Sequence, residues 1–259
     1  MRMMKKVLGT VTVLALSVSL LAGCGSTAAS PVSSAASTAA ESTTSSVVSE
    51  TTSAAADENV AAAAQLLNDL TGSYQELWPV ILADEYKQTW LDDCTALVGE
   101  DNAEAAFEKL SSMVTGDVYG EDAVKAYANG GGAYFCGFTN SLAILTFDGE
   151  TSTISGTDKD GNVLFSHTYH YIGMEPVHGL YEFESDDADS GEFTYFFLAP
   201  DTSAETYHIE FRYGSDADAL SQYDAGDYAY WVASGISTDC DQTMIDNCIE
   251  LFCTENLAG

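Results

Sequence analysis

The most regular alternation in the chain lies at Glu205–Gly214, E-T-Y-H-I-E-F-R-Y-G. Tyr207, Ile209, Phe211 and Tyr213 fall on one side, and His208, Glu210 and Arg212 on the other. A period of two predicts a strand with one apolar and one polar face. Shorter apolar and aromatic runs precede it at Ala133–Phe138, Leu142–Phe147, Thr151–Thr157, Val163–Tyr171, Gly179–Phe183 and Phe193–Ala199. Turn signals separate them, among them Asp148-Gly149 and Asp158-Lys159-Asp160-Gly161, and an Asp-Gly pair between alternating runs is a hairpin signal. Seven or more short strands at even spacing predict an antiparallel barrel or sandwich. A barrel of about eight strands is filled by side chains or holds one small ligand.

The remaining pattern is helical. Asp57-Glu58 opens a helix-like run through Asn68. A second, interrupted, carries Trp90, Leu91 and Leu97, and a third fits Asn102–Met113 with Ala106, Phe107 and Leu110 on one side. Asp117–Ala128 is ambiguous, and Gly130-Gly131-Gly132 breaks helix. At the end Met244, Ile245, Cys248, Ile249 and Phe252 recur at three and four, with Asp241 placed as N-cap.

The first 56 residues follow neither period. Arg2, Lys5 and Lys6 precede the apolar Val7–Leu21, which ends in Leu21-Ala22-Gly23-Cys24. This reads as a targeting segment, too short for a membrane-spanning helix. L-A-G-C resembles the lipobox of bacterial lipoproteins, which implies lipid attachment at Cys24 and anchoring to the outer face of the cell membrane. Residues 25–56 are almost entirely Ser, Thr, Ala, Val and Gly, and read as a flexible tether. The division expected is signal 1–24, tether 25–56 and domain 57–259, about 200 residues and enough for one core.

Charge narrows the function. Forty acidic residues oppose eight basic ones, a net of −32. Three of the basic residues and none of the acidic ones precede Cys24, so the remainder carries five against forty, or −35. Such a surface repels phosphate backbones, which excludes a nucleic-acid partner. Beyond Cys24 the cysteines are Cys94, Cys136, Cys240, Cys248 and Cys253. Disulfides are open to an exported chain, and an odd count leaves at least one thiol over. No C-x-x-C speaks for a thiolate zinc site.

Candidate chemistry returns to the first strand. An imidazole and a carboxylate two apart lie roughly 6.5–7 Å apart at Cα, and zinc accepts both. His208 and Glu210 are therefore a candidate metal edge; the alternative is a wet strand face on which Glu210 pairs with Arg212. His167 and His170, three apart, face opposite sides of a strand, and His178 sits in a turn from which it could swing inward. The acidic Glu184–Glu192 fails the EF-hand template and reads as a solvated loop. No G-x-S-x-G, H-E-x-x-H or P-loop is present, so the chain is not read as an enzyme.

Two stretches carry a family resemblance. Leu70-x-Gly72-x-Tyr74-Gln-x-Leu77-Trp78-Pro79 is similar to the W-x-G-x-W-x-S-V-Y-P entry segment of the ZinT family, and Gly179-Leu-Tyr181-Glu-Phe183-Glu184 to its G-V-R-Y-L-F-E. Ala199-Pro200, His208-x-Glu210 and Tyr228-Ala-Tyr230-Trp231 then fall in family order, over roughly Leu66–Leu257. The resemblance implies a mainly β fold, an antiparallel lipocalin-like (calycin) barrel with N-terminal helices and a C-terminal helix. It also implies a monomer that binds Zn²⁺ or another divalent ion and works beside a metal ABC-transporter component. The family's three zinc histidines would fall on His208, Glu210 and Phe196, so one is kept, one becomes carboxylate and one is lost; His178 is the chosen completion. The alternative is a metal-free barrel that takes an apolar small molecule or a protein partner.

Overall fold

The structure is a computed structural model that describes residues 47–114, 134–199 and 208–258, with side chains from residue 58. The signal, Cys24, most of the tether, Asp117–Ala128, the triple glycine, Pro200 and Tyr207 lie outside the described residues.

Eight antiparallel strands close a barrel in sequence order, with the last paired to the first. They are β1 (Gly72–Glu76), β2 (Ile144–Asp148), β3 (Thr153–Thr157), β4 (Val163–Met174), β5 (Tyr181–Ser185), β6 (Tyr195–Leu198), β7 (His208–Gly214) and β8 (Ala233–Ser237). Closure sets Tyr74 of β1 opposite Ser237 of β8, so neither end strand keeps an open edge. Six of the expected strands are present. Ala133–Phe138 is not one of them: over its described residues it makes a single bridge, Phe135 to Trp231. The sequence reading passed over β1 and β8. In β4 the register shifts between Tyr171 and Gly173, a bulge that bends this long strand.

The helices are α1 (Val47–Asp69), α2 (Leu77–Ile81), α3 (Lys87–Val98), α4 (Glu100–Val114), α5 (Ala217–Leu220) and α6 (Gln242–Leu257). The first starts ten residues before the expected Asp57. Asp241 caps α6 as expected, its carboxylate accepting the Met244 N–H at 3.0 Å.

Alternation on the strands splits the apolar residues into two cores. Tyr74, Leu145, Phe147, Ile154, Phe165, Phe183, Phe196, Ile209, Phe211 and Tyr213 fill the barrel. Phe196 lies against Tyr169 (ring centroids 5.4 Å), Tyr213 (5.4 Å), Phe165 (5.9 Å) and Phe211 (6.3 Å). A Cβ at Gly156 would run into Leu142 and Phe165, so only glycine leaves room for that packing. The second core lies between the barrel and the helices. It holds Leu77, Trp78, Ile81, Trp90, Cys94, Leu110, Ile236, Cys248, Ile249 and Cys253. Each aromatic buried here contributes a few kcal/mol by removing apolar area from water.

Candidate metal site

With Ile209, Phe211 and Tyr213 turned into the barrel, His208 and Glu210 face outward, toward the helices. They line a small hollow with Leu77, Trp78 and Ile81 of α2 and Cys248, Leu251, Phe252 and Glu255 of α6. The cavity is about 30 Å³, room for a water or a single ion and far below an organic-ligand pocket. Cys248 and Glu255 are seven apart on α6 and so share one helix face. That stripe is the signal that could have placed Glu255 opposite β7, and the sequence reading did not use it.

Electrostatics sort these donors. Burial, and then the negative charge of Glu210, pushes the Cys248 thiol up to about 12. Without a metal it is therefore protonated near neutral pH. Burial and Glu210 raise the Cys136 thiol in the same way. Glu210 is thus the charge felt behind the hollow. Trp78 adds a buried indole N–H directed toward the Cys136 sulfur but short of an ordinary hydrogen bond to it.

The predicted ligand set is not brought together. Phe196 points into the barrel, while His208 and Glu210 point out of it, because Phe196 is in register with the inward Tyr213 and alternation puts His208 and Glu210 on the other face of β7. His178 sits at the β4–β5 turn, not in the hollow. Its ring lies 3.8 Å from that of Tyr223, and its Nδ1 is 3.5 Å from the buried Glu175 carboxylate. Glu175 itself accepts the Val177 and His178 N–H groups at 2.9 and 2.5 Å, which fixes the turn. Among the described residues no group of three or more His, Cys, Asp or Glu stands at metal-holding spacing. The donor types around the hollow suit a borderline divalent ion; their spacing is not that of a preformed tetrahedral cage.

The other histidines are engaged elsewhere. His167 shares the inward face of β4 with Phe165 and Tyr169, and His170 faces outward, as their spacing required. Their Nδ1 atoms each lie 2.7 Å from a carboxylate of the acidic loop, Asp187 for His167 and Asp186 for His170. Arg212 departs from expectation. It does not pair with Glu210 on a wet face but is fully buried. Its guanidinium donates to the carbonyls of Leu220, Gln222 and Tyr228 and stacks 4.2 Å from the Tyr223 ring. Burial pushes its pKa below the ordinary value, yet guanidinium remains charged at any working pH. Arg212 thereby ties segment 215–231 to the barrel wall.

Comparison with known proteins gives no matching family model and no matching curated protein. Several solved chains are similar in shape, two of them as follows. The Zn(II)-bound ZinT-like domain of Streptococcus pneumoniae AdcA is 14% identical at a TM-score of 0.44, covering 70% of this chain and 87% of that one. Zn(II)-bound AdcA from the same organism is 13% identical at 0.41, covering 71% of this chain and 34% of that one. At these TM-scores the likeness carries no functional argument. The fold is established by the closed antiparallel barrel and its helices.

Proposed function

We propose that this chain is an exported, non-catalytic barrel domain, lipid-anchored through Cys24, that captures a divalent metal ion, zinc foremost, at the hollow between β7 and α6. One observation carries the reading: an ion-sized cavity lined by an imidazole and two carboxylates from two elements, His208, Glu210 and Glu255. Zinc takes both donor types. His208 and Glu210 supply the strand-borne pair, and Glu255 closes from the last turns of α6. Cys248 lines the same hollow with a thiol that is protonated in the absence of metal. An acidic chain of net −32 concentrates cations around it and speeds their arrival. A site assembled from separated side chains binds weakly and exchanges readily, which suits handing an ion to a transporter component. No helix among the described residues is long and apolar enough to cross a membrane.

The test is calorimetric titration of Zn²⁺ into the chelator-stripped chain from residue 25 onward. One ion per chain is expected, with binding lost in His208→Ala/Glu210→Ala and weakened several-fold in Glu255→Gln. Binding that survives both changes would move the site, with His167, His170, Asp186 and Asp187 next in line. No uptake at all would end the proposal. The apolar-ligand reading has no observation in its favour, since the barrel interior is filled by aromatic side chains.

A further inference from the structure

Cys94 stands on α3 and Cys253 near the end of α6. Both side chains are fully buried in the second core, beside Trp90, Cys248 and Ile249. Their Sγ atoms are 3.9 Å apart. A disulfide needs about 2.05 Å, with Cβ atoms roughly 3.5–4.5 Å apart. The two sulfurs are already in contact, and closing the bond brings them about 1.9 Å nearer. All five described cysteines are free thiols in this structure; Cys94 and Cys253 touch sulfur to sulfur, while Cys240 is near enough to Cys248 to raise its thiol.

We propose that Cys94 and Cys253 form a disulfide that staples α3 to α6 when the chain folds in an oxidising compartment. The proposal rests on the reading that the chain is exported. The reaction is thiol–disulfide exchange with an external disulfide, either a small molecule or an oxidoreductase. One cysteine thiolate attacks the oxidant and forms a mixed disulfide, releasing the first oxidant thiol. The second cysteine thiolate then displaces the other oxidant thiol. Two cysteine thiols lose two electrons and two protons, and the oxidant disulfide becomes two thiols. Two features set the timing. Burial raises both thiols above the ordinary range, so thiolate is scarce once the helices have packed. Burial also keeps the oxidant out. The bond therefore closes during folding, and the folded reduced protein oxidises slowly.

The bond joins residues 159 positions apart, one of them on the helix that carries Glu255. It pins α6 to α3 from the side opposite β7 and so fixes one wall of the hollow. Neither Cys94 nor Cys253 lines the hollow itself, so the bond bears on it only through the position of α6.

The experiment uses the chain from residue 25 onward, unfolded in denaturant and reductant and then refolded in a mixture of reduced and oxidised glutathione. Free thiols are alkylated without reduction, and the digest is read by mass spectrometry. The expected result is a linked peptide pair containing Cys94 and Cys253, lighter than its reduced halves by two hydrogens. The free-thiol count falls by two, and the melting temperature falls on adding dithiothreitol. Cys94→Ser and Cys253→Ser each abolish the linked pair, whereas Cys240→Ser leaves it intact. Mapping the unsubstituted protein needs no variant to fold. Recovery of both cysteines alkylated after every refolding, or linkage to a different partner, would overturn the pairing. A second sample comes from protein harvested from the producing cell under acid quench. If the pair forms in glutathione but is reduced there, the export reading fails while the geometry stands.

Discussion

The aromatic filling of the barrel makes a quantitative demand on Phe196. Its side chain is fully buried and touches four other rings at centroid distances of 5.4 to 6.3 Å. In Phe196→Ala the ring is lost and these neighbours cannot all move inward, because the closed ladder fixes the strands that hold them. The transfer term for a buried Phe is about 2–3 kcal/mol. The void left behind and the lost ring pairs bring the expected total to about 4 kcal/mol. Phe196→Leu keeps most of the volume and should cost about 1.5 kcal/mol. For a domain of this size, 4 kcal/mol is a fall of about 8–16 °C in Tm. Urea unfolding followed by Trp fluorescence measures both variants, with unchanged m-values as the check that the unfolded ensemble is the same. A loss below about 1.5 kcal/mol for Phe196→Ala would refute the reasoning. It would mean that the barrel holds free space beside Phe196, and the apolar-ligand reading would return.

Two further outcomes follow from the buried Arg212 and from two half-buried carboxylates. Arg212→Met removes the donor shared by the Leu220, Gln222 and Tyr228 carbonyls. The return of guanidinium desolvation offsets part of that loss, so the net cost is about 3 kcal/mol. Hydrogen exchange in residues 216–231 should rise with it, and unchanged protection there would contradict the tie. Asp93 is held above the usual carboxylate range by burial and then by Glu250, Asp246 and Asp92, and Glu182 by burial and then Glu175. Each binds its proton more tightly folded than unfolded. Acidifying from neutral therefore adds stability as pH falls through the folded value, and the gain is complete below the unfolded value near 4. Asp93→Asn and Glu182→Gln should raise Tm at pH 7 and lose that advantage near pH 4; a benefit confined to acid pH would refute the assignment.

Six strands and four helices were legible because their apolar spacing is clean. The two missed strands have compositional reasons. β1 reads Gly-Ser-Tyr-Gln-Glu, with Tyr74 its single apolar residue. β8 reads Ala-Ser-Gly-Ile-Ser and is buried on both faces, between the barrel interior and the helices, so it shows no alternation. Ala133–Phe138 is apolar and aromatic enough to pass for a strand, yet Phe135 finds a single parallel bridge to Trp231. At the site, the pairing of His208 with Glu210 on one face was legible from spacing alone. The face they would share with Glu255 was not, since nothing local says which side of the barrel α6 covers. Arg212 misled for the same reason. Its polar neighbours in sequence suggested water, whereas segment 215–231 supplies main-chain carbonyls that sequence patterns do not display.

The seam where β1 meets β8 has a bearing on how the chain comes into being. Tyr74 waits for Ser237, 163 residues later, so no ribosome can release a finished barrel before nearly the whole chain has emerged. Until then Gly72–Glu76 has only β2 beside it, and its other edge stays unsatisfied. Ring closure is the most non-local event in this topology, and non-local closure is slow. Folding of this chain is therefore expected to be limited by the β1–β8 seam and not by its hairpins.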